Sequence, residues 1–218
     1  MDKKLLNQQS QHWESNFSSK PEMFGLEPSY SAKKSLEIFK KYNIKNILEL
    51  GAGLGRDTIY FANNNIKVYA LDFSPCAIDM INKKSKKLGL DKIITAEVFD
   101  IRKDFSFIEK NFDGCYSHML YCMALTFNEL EVLNYKINLK LKEDGINIYT
   151  VRNTSDGDFQ KGSHIGEDLY EMNGFIVHFF SDEKIKKLLN GYKNLEIIRF
   201  DEGNFPRRLS MVINQKTS

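Results

Sequence analysis

Cysteine is scarce in this chain: three residues among 218, Cys76, Cys115 and Cys122, with no Cys-x-x-Cys pair. An odd count without an export signal points to reduced thiols and argues against a disulfide framework or a structural zinc site. Proline numbers only four, and no Pro-, Gly- or Ser-rich stretch marks a linker. The four histidines, His12, His118, His164 and His178, never fall at helical His-x-x-x-His spacing, so no metal site is expected. No apolar run approaches the roughly 20 residues of a membrane-spanning helix. The start, Met1-Asp2-Lys3-Lys4, leads into polar residues rather than a signal stretch. A soluble, cytoplasmic chain is the expectation. Charge of one sign is missing as well: 31 Lys plus Arg against 29 Asp plus Glu leave a net +2, which excludes basic arms and acidic tails.

What is present is 42% hydrophobic and 12% aromatic content, enough for one sizeable core, so residues 1–218 read as a single domain. Residues 3–17, with Leu6, Trp13 and Phe17, and residues 29–42, with Ala32, Leu36, Ile38 and Phe39, have helical periodicity. β-prone runs follow at Ile44–Leu50, Ile66–Leu71, Ile93–Phe99 and Phe112–Ser117, separated by segments of helical periodicity or charge, and this alternation implies a parallel sheet. Thr126–Leu141 and Ser181–Leu189 read as helices, and Ile146–Val151, Leu195–Phe200 and Leu209–Asn214 as strands. The last two strands are joined by a short Asp-Glu-Gly-Asn-Phe-Pro turn and should pair antiparallel. Residues 153–180 lack clear periodicity, and so long a loop suggests a lid or substrate wall.

The informative segment is Ile47-Leu48-Glu49-Leu50-Gly51-Ala52-Gly53-Leu54-Gly55-Arg56-Asp57, a strand running through glycines into a helix. Such glycines let backbone turn sharply and approach a nucleotide-like ligand. A dinucleotide fingerprint wants its third glycine one position later, where Arg56 stands, which counts against NAD or FAD. The next strand ends in Asp72-Phe73 before Ser74-Pro75, a helix start with Ser as N-cap. The third ends in Phe99-Asp100-Ile101. Carboxylates at the carboxyl ends of parallel strands can accept from ribose hydroxyls or an adenine amino group.

These residues resemble the class I S-adenosylmethionine-dependent methyltransferases, from Ile44 to the terminal hairpin. The resemblance implies a Rossmann-like α/β fold with a mostly parallel seven-stranded sheet of order 3-2-1-4-5-7-6, its last strand antiparallel, and helices on both faces. It implies S-adenosylmethionine as cofactor and S-adenosylhomocysteine as product. Gly51 and Gly53 would face the methionine part, Asp72 the ribose, Asp100 and Ile101 the adenine, and Ser117 the methionine side, with Glu49 helping to hold the amino group. Ala52, Arg56, Asp57, Phe73 and Ser74 complete the implied cofactor set. More narrowly, Met23-Phe24-Gly25-Leu26-Glu27-Pro28-Ser29 with Gly55-Arg56-Asp57 is similar to the thiopurine and tellurite-resistance branch, whose acceptors are small and often soft. The N-terminal helices within 1–43 would then partly cover the cofactor, with Trp13 and Tyr30 closing over it. A Trp on an apolar helical stripe also reads as plain core.

The expected function is methyl transfer to a small-molecule acceptor such as a thiol or metalloid oxyanion. The alternatives are an RNA or protein methyltransferase, a non-catalytic cofactor-binding regulator, or a nicotinamide oxidoreductase. After the fourth strand, Ser117-His118-Met119-Leu120 lacks the Asp/Asn-Pro-Pro-aromatic pattern of base amino-methylating enzymes, and the basic run Lys83–Lys87 lacks interleaved aromatics, so nucleic acid is disfavoured. The acceptor site is expected between the ends of strands four and five and segment 153–180. His118 would be a proton acceptor there and Arg152 the holder of an anionic acceptor, with His178, Tyr170, Phe175, Phe179 and Phe180 lining it. Cys122 lies close enough in sequence to approach an acceptor, and Cys115 reads as a buried small hydrophobe.

Overall fold

The computed structural model describes residues 3–106, 111–203 and 207–217. Residues 204–206 of the expected hairpin turn, and the Leu6 side chain expected on the first helical stripe, lie outside the described residues. In chain order the elements are α1 (Lys3–Ser19), α2 (Tyr30–Lys41), β1 (Asn46–Leu50), α3 (Arg56–Asn63), β2 (Lys67–Asp72), α4 (Pro75–Leu88), β3 (Ile94–Val98), β4 (Phe112–Ser117), α5 (Phe127–Lys140) and β5 (Leu141–Arg152). There follow β6 (Ser163–Gly166), β7 (Leu169–Met172), β8 (Phe175–His178), α6 (Asp182–Lys187), β9 (Tyr192–Glu202) and β10 (Arg207–Lys216).

Seven strands form one sheet in the order β3-β2-β1-β4-β5-β10-β9. Neighbours among the first five pair parallel, and β10 runs antiparallel to both β5 and β9. This is the expected 3-2-1-4-5-7-6 order once the three short strands of a separate sheet are set aside. Side chains alternate across the pleat and fill two layers. Leu48, Leu50, Tyr149 and Val151 pack with Leu130, Leu133 and Ile137 of α5. Ile47, Ile146 and Ile148 pack with Leu36 and Phe39 of α2 and Phe61 of α3. The helix starts follow local sequence: Ser29, Ser74 and Ser181 accept from the backbone as N-caps, and Thr126 with Glu129 makes a capping box.

Residues 153–180 differ from the irregular segment expected. They carry an antiparallel sheet of order β6-β7-β8, each strand only four residues long. Strands this short give too few positions for an alternation to be read. The turn between β7 and β8 is nonetheless encoded: Asn173 (φ 52°) and Gly174 (φ 84°) form a two-residue connection with both φ positive, as an Asn-Gly hairpin requires. Helix α1 lies against this small sheet. Gln9 donates to Gly174 O at 2.9 Å and accepts from Ile176 N–H at 3.1 Å, satisfying the edge of β8 as a neighbouring strand would. No helix among the described residues is long and apolar enough to cross a membrane.

Candidate cofactor and acceptor site

The carboxyl ends of β1, β2 and β4 meet at the glycine loop. Gly51, Gly53 and Gly55 have φ of +70°, +52° and +78°, left-handed conformations in which a Cβ is strained. Gly51 and Ala52 donate to Leu71 O and tie the loop to β2. The three glycines have different surroundings. A Cβ on Gly55 would stand 2.5 Å from Ile81 Cγ1, so this residue lets α3 pack on α4. A Cβ on Gly53 would meet only Phe17 Cζ, at 3.8 Å, which leaves that backbone accessible to a ligand.

Asp72 ends β2 and is buried. Its Oδ2 accepts from Gly53 N–H at 2.8 Å and its Oδ1 from Ser74 N–H at 2.9 Å. A carboxylate has about four acceptor positions, so two remain for ligand hydroxyls. Burial pushes the Asp72 carboxyl up to about 6 despite those two N–H donors, with nearby Glu14 adding to the rise. Because the folded value exceeds the ordinary one, the proton-linked stability of the ligand-free protein is full below about pH 4 and is lost as pH rises through about 6. Denaturation across that interval should show a fall on the order of 2–3 kcal/mol attributable to this group, and the slope should flatten in Asp72→Asn.

Glu49 is a second buried carboxyl, raised well above its usual value by desolvation and by the like charges of Asp57 and Asp72, with the neighbouring Thr58 hydroxyl offsetting part of the effect. Its Oε2 and the buried Ser117 Oγ have no hydrogen-bond partner among the described residues. Groups of this kind call for a polar partner, and two buried acids with raised values call for a cationic one. On the far side Asp100 is engaged by Arg102, whose Nε and second guanidinium nitrogen approach its oxygens at 2.8–3.2 Å. Burial would raise this carboxyl, but Arg102 holds it below the carboxylate range. Ile101 beside it is buried, and Phe73 is half-buried.

Helix α1 roofs this region. Phe17 packs with Leu54 and Ala77, and Trp13, Met23 and Phe24 join them. Glu14 accepts from the Ser74 hydroxyl and from Cys76 N–H, so an acid from α1 caps the start of α4 beside Asp72. Glu14, Ser10, Gln11 and Ser15 face Phe73 and Pro75 across a shallow cleft. Composition and spacing did not single out Glu14, whose partners are sixty residues away. Trp13 lies 5.4 Å from Phe17 and 4.8 Å from Phe175, ring centre to ring centre, as part of this roof. Tyr30 instead packs on Phe200, ring centres 4.7 Å apart and planes tilted by 40°.

Arg56 and Asp57, implied as cofactor residues, face the N-terminal segment. Asp57 accepts from Ser29 N–H, from the Ser29 hydroxyl and from Tyr116 OH at 2.7–2.8 Å, which locks the cap of α2 to α3. Arg56 donates to Phe24 O at 2.8 Å and to Glu202 Oε1 at 3.4 Å. His118 lies just past the end of β4. Its Nε2 is 3.1 Å from Glu202 Oε2, and its Nδ1 is 2.9 Å from both Ser31 Oγ and Thr150 Oγ1. Glu202, at the end of β9, is the functional candidate that sequence reading missed.

The other expected acceptor residues are differently engaged. The Arg152 guanidinium lies over Phe179 and commits its Nε and one terminal nitrogen to Asp156 and Asp158, so it serves as an internal clamp. His178 is fully buried, bonded through Nδ1 to Leu125 O and through Nε2 to Lys184. Desolvation and the Lys184 charge lower it to about 4, so it stays neutral. Tyr170 and Phe179 form a cluster with Phe159, Phe180 belongs to the α5 layer, and Phe175 packs on Trp13. The Cys122 thiol is buried and pushed up to about 11 by desolvation, and Cys115 is raised for the same reason, so neither is a nucleophile at neutral pH. No group of His, Cys, Asp and Glu among the described residues could hold a metal ion.

Comparison with known proteins agrees with this geometry. A family model described as a methyltransferase domain matches residues 47–145, from β1 into β5. No curated protein matches the sequence. Among solved structures, an S-adenosylmethionine-dependent methyltransferase from Clostridium acetobutylicum superposes with a TM-score of 0.70 at 14% identity, covering 97% of this chain and 99% of that one. TehB from Haemophilus influenzae gives 0.67 at 17%, covering 94% and 67%. The N-methyltransferase NodS from Bradyrhizobium japonicum, solved with S-adenosyl-L-homocysteine, gives 0.70 at 13%, covering 96% and 98%. At these identities the structures speak for the fold alone, and the family model adds that residues 47–145, which include the glycine loop, match a methyltransferase domain.

Proposed function

We propose that this chain methylates a small-molecule acceptor in the cytoplasm, with the cofactor held at the glycine loop. The observation that carries the cofactor assignment is the pair of unpartnered buried atoms, Glu49 Oε2 and Ser117 Oγ, with a second buried acid, Asp72, near Glu49. S-adenosylmethionine is cationic at sulfur and nitrogen and, when bound, supplies an electrophilic methyl group. Glu49 and Ser117 would hold its amino group, the loop of Gly51, Ala52 and Gly53 would face its methionine part, Asp72 would hold its ribose, and Phe73, Asp100 and Ile101 its adenine, with Ser74 holding Asp72 in place. The chain's own contribution is positioning and exclusion of water by α1.

A small acceptor is favoured over nucleic acid because the net charge is only +2 and two of the four lysines of the basic run on α4 already have partners: Lys83 pairs with Asp79 at 2.6 Å and Lys84 donates to Leu54 O at 3.0 Å. NodS, an N-methyltransferase, supports the same reading. A thiol or metalloid oxyanion is the acceptor suggested by the narrower resemblance, whereas the carboxylate at the acceptor side favours another class.

Titration calorimetry with S-adenosylmethionine tests the cofactor site. Asp72→Ala should weaken binding at least about tenfold, since charge-assisted hydrogen bonds contribute roughly 1.5–3 kcal/mol each. Wild-type affinity should rise with pH through about 6 as Asp72 ionises. Unchanged affinity in a folded Asp72→Ala protein removes the ribose assignment, and wild-type binding of NADH in preference to S-adenosylmethionine removes the whole reading.

A further inference from the structure

We infer that Glu202 is the acceptor-facing group and that it takes an amine, with His118 and Arg56 as positioning residues; the inference rests on the methyl-transfer reading above. It begins with the imidazole. Thr150 Oγ1 accepts from Met119 N–H at 2.8 Å, so its own hydrogen is free to point at His118 Nδ1. Both ring nitrogens are engaged, and Nε2, which faces a carboxylate oxygen, carries a hydrogen and donates it to Glu202 Oε2. Neither ring nitrogen then presents a lone pair outward, so His118 orients the carboxylate and takes no proton from the acceptor.

Glu202 has the opposite character. His118 and Arg56 occupy two of its acceptor positions, its side chain is 22% exposed, and about two positions remain open. Burial would raise the carboxyl, but His118, Arg56 and Arg207 outweigh it and keep the group ionised. Phe200, two residues earlier on β9, shares its face of the sheet, and Tyr30, 41% exposed, packs on Phe200 with the rings tilted by 40°. An aromatic wall beside a fixed carboxylate suits a nitrogen with hydrogens to donate and an apolar or aromatic body. Arg207, the register partner of Glu202 on β10, tempers the local charge. A thiolate or oxyanion has no hydrogen to donate and gains no hydrogen bond from an ionised carboxylate.

The amine reacts as its free base. Its lone pair forms the N–C bond as the S–C bond breaks, the electron pair of that bond stays on sulfur, and the proton left on the product ammonium goes to solvent. Glu202 remains ionised throughout and serves to aim the lone pair.

The test is calorimetry on protein loaded with S-adenosylhomocysteine, using 2-phenylethylamine, 2-phenylethanethiol and selenite as probes, followed by turnover of each with S-adenosylmethionine. The amine should bind and the other two should not. Glu202→Gln should weaken amine binding by about tenfold and raise KM more than it lowers kcat, with S-adenosylmethionine affinity unchanged. His118→Gln keeps a donor toward Glu202 and should retain most amine affinity, whereas His118→Leu should lose it. Failure of the wild type to bind the amine, preferential methylation of the thiol or selenite, or an unaffected Glu202→Gln overturns the inference while leaving the methyl-transfer reading intact. Absence of S-adenosylmethionine binding defeats both.

Discussion

Arg152→Ala should cost about 3–5 kcal/mol of folding stability, the usual penalty for leaving a buried charge without its partner. The guanidinium side chain is 6% exposed and that of Asp156 2%. Nε donates to Asp156 Oδ2 at 3.0 Å, and one terminal nitrogen reaches Asp156 Oδ1 at 2.5 Å and Asp158 Oδ2 at 2.6 Å. Asp156 also accepts from the backbone N–H groups of Arg208 and Asp158, so the pair fastens the start of segment 153–180 to β10. Urea denaturation measures the loss. A deficit under about 1 kcal/mol would mean that the pair is no better than an exposed one. Replacing both charges together, Arg152→Met with Asp156→Asn, which keeps an amide oxygen for the N–H groups of Arg208 and Asp158, should recover part of the deficit. Cofactor affinity in the folded single variant should match wild type, because no cofactor group contacts this arginine in the reading above.

Gly55→Ala should be the most damaging change in the glycine loop. A left-handed φ of +78° strains any Cβ, and the new carbon would sit 2.5 Å from Ile81 Cγ1 inside the contact between α3 and α4. Backbone strain of roughly 1–2 kcal/mol and overpacking of roughly 1–3 kcal/mol add to about 2–5 kcal/mol of destabilisation. Gly53→Ala carries the strain without the clash, since Phe17 at 3.8 Å is an ordinary contact. It should unfold only slightly more easily than wild type and yet bind S-adenosylmethionine poorly. Thermal denaturation with calorimetry separates the two: if Gly53→Ala loses more stability than Gly55→Ala, the division into a packing glycine and a ligand-facing glycine is wrong.

The cofactor half was legible because its determinants are local. The strand Ile47–Leu50 runs straight into its glycines, and Asp72-Phe73-Ser74-Pro75 carries its strand end, N-cap and first helical residue in four consecutive positions. The acceptor half depends on partners far apart in the chain. His118 was visible past the end of β4, but nothing in its neighbourhood indicated that Glu202 would complete it, because that contact exists only after β9 has reached the edge of the sheet beyond β10. Arg152 was read as a ligand holder although Asp156 and Asp158 stand close by in sequence. Their spacing suits an internal clamp, and the bend after β5 that closes it could not be read. The Asn173-Gly174 turn was encoded plainly, and only the brevity of its flanking strands hid the hairpin.

The position of the single tryptophan gives the protein a built-in optical reporter. Trp13 sits in α1 among Phe17, Phe24 and Phe175, on the same helix that joins Gln9 to β8 and Glu14 to α4. Any lifting of that helix transfers the indole from an aromatic surround into water and reddens its emission. A ligand that shifts α1 on binding would therefore be seen in unlabelled protein, with no second tryptophan to dilute the signal.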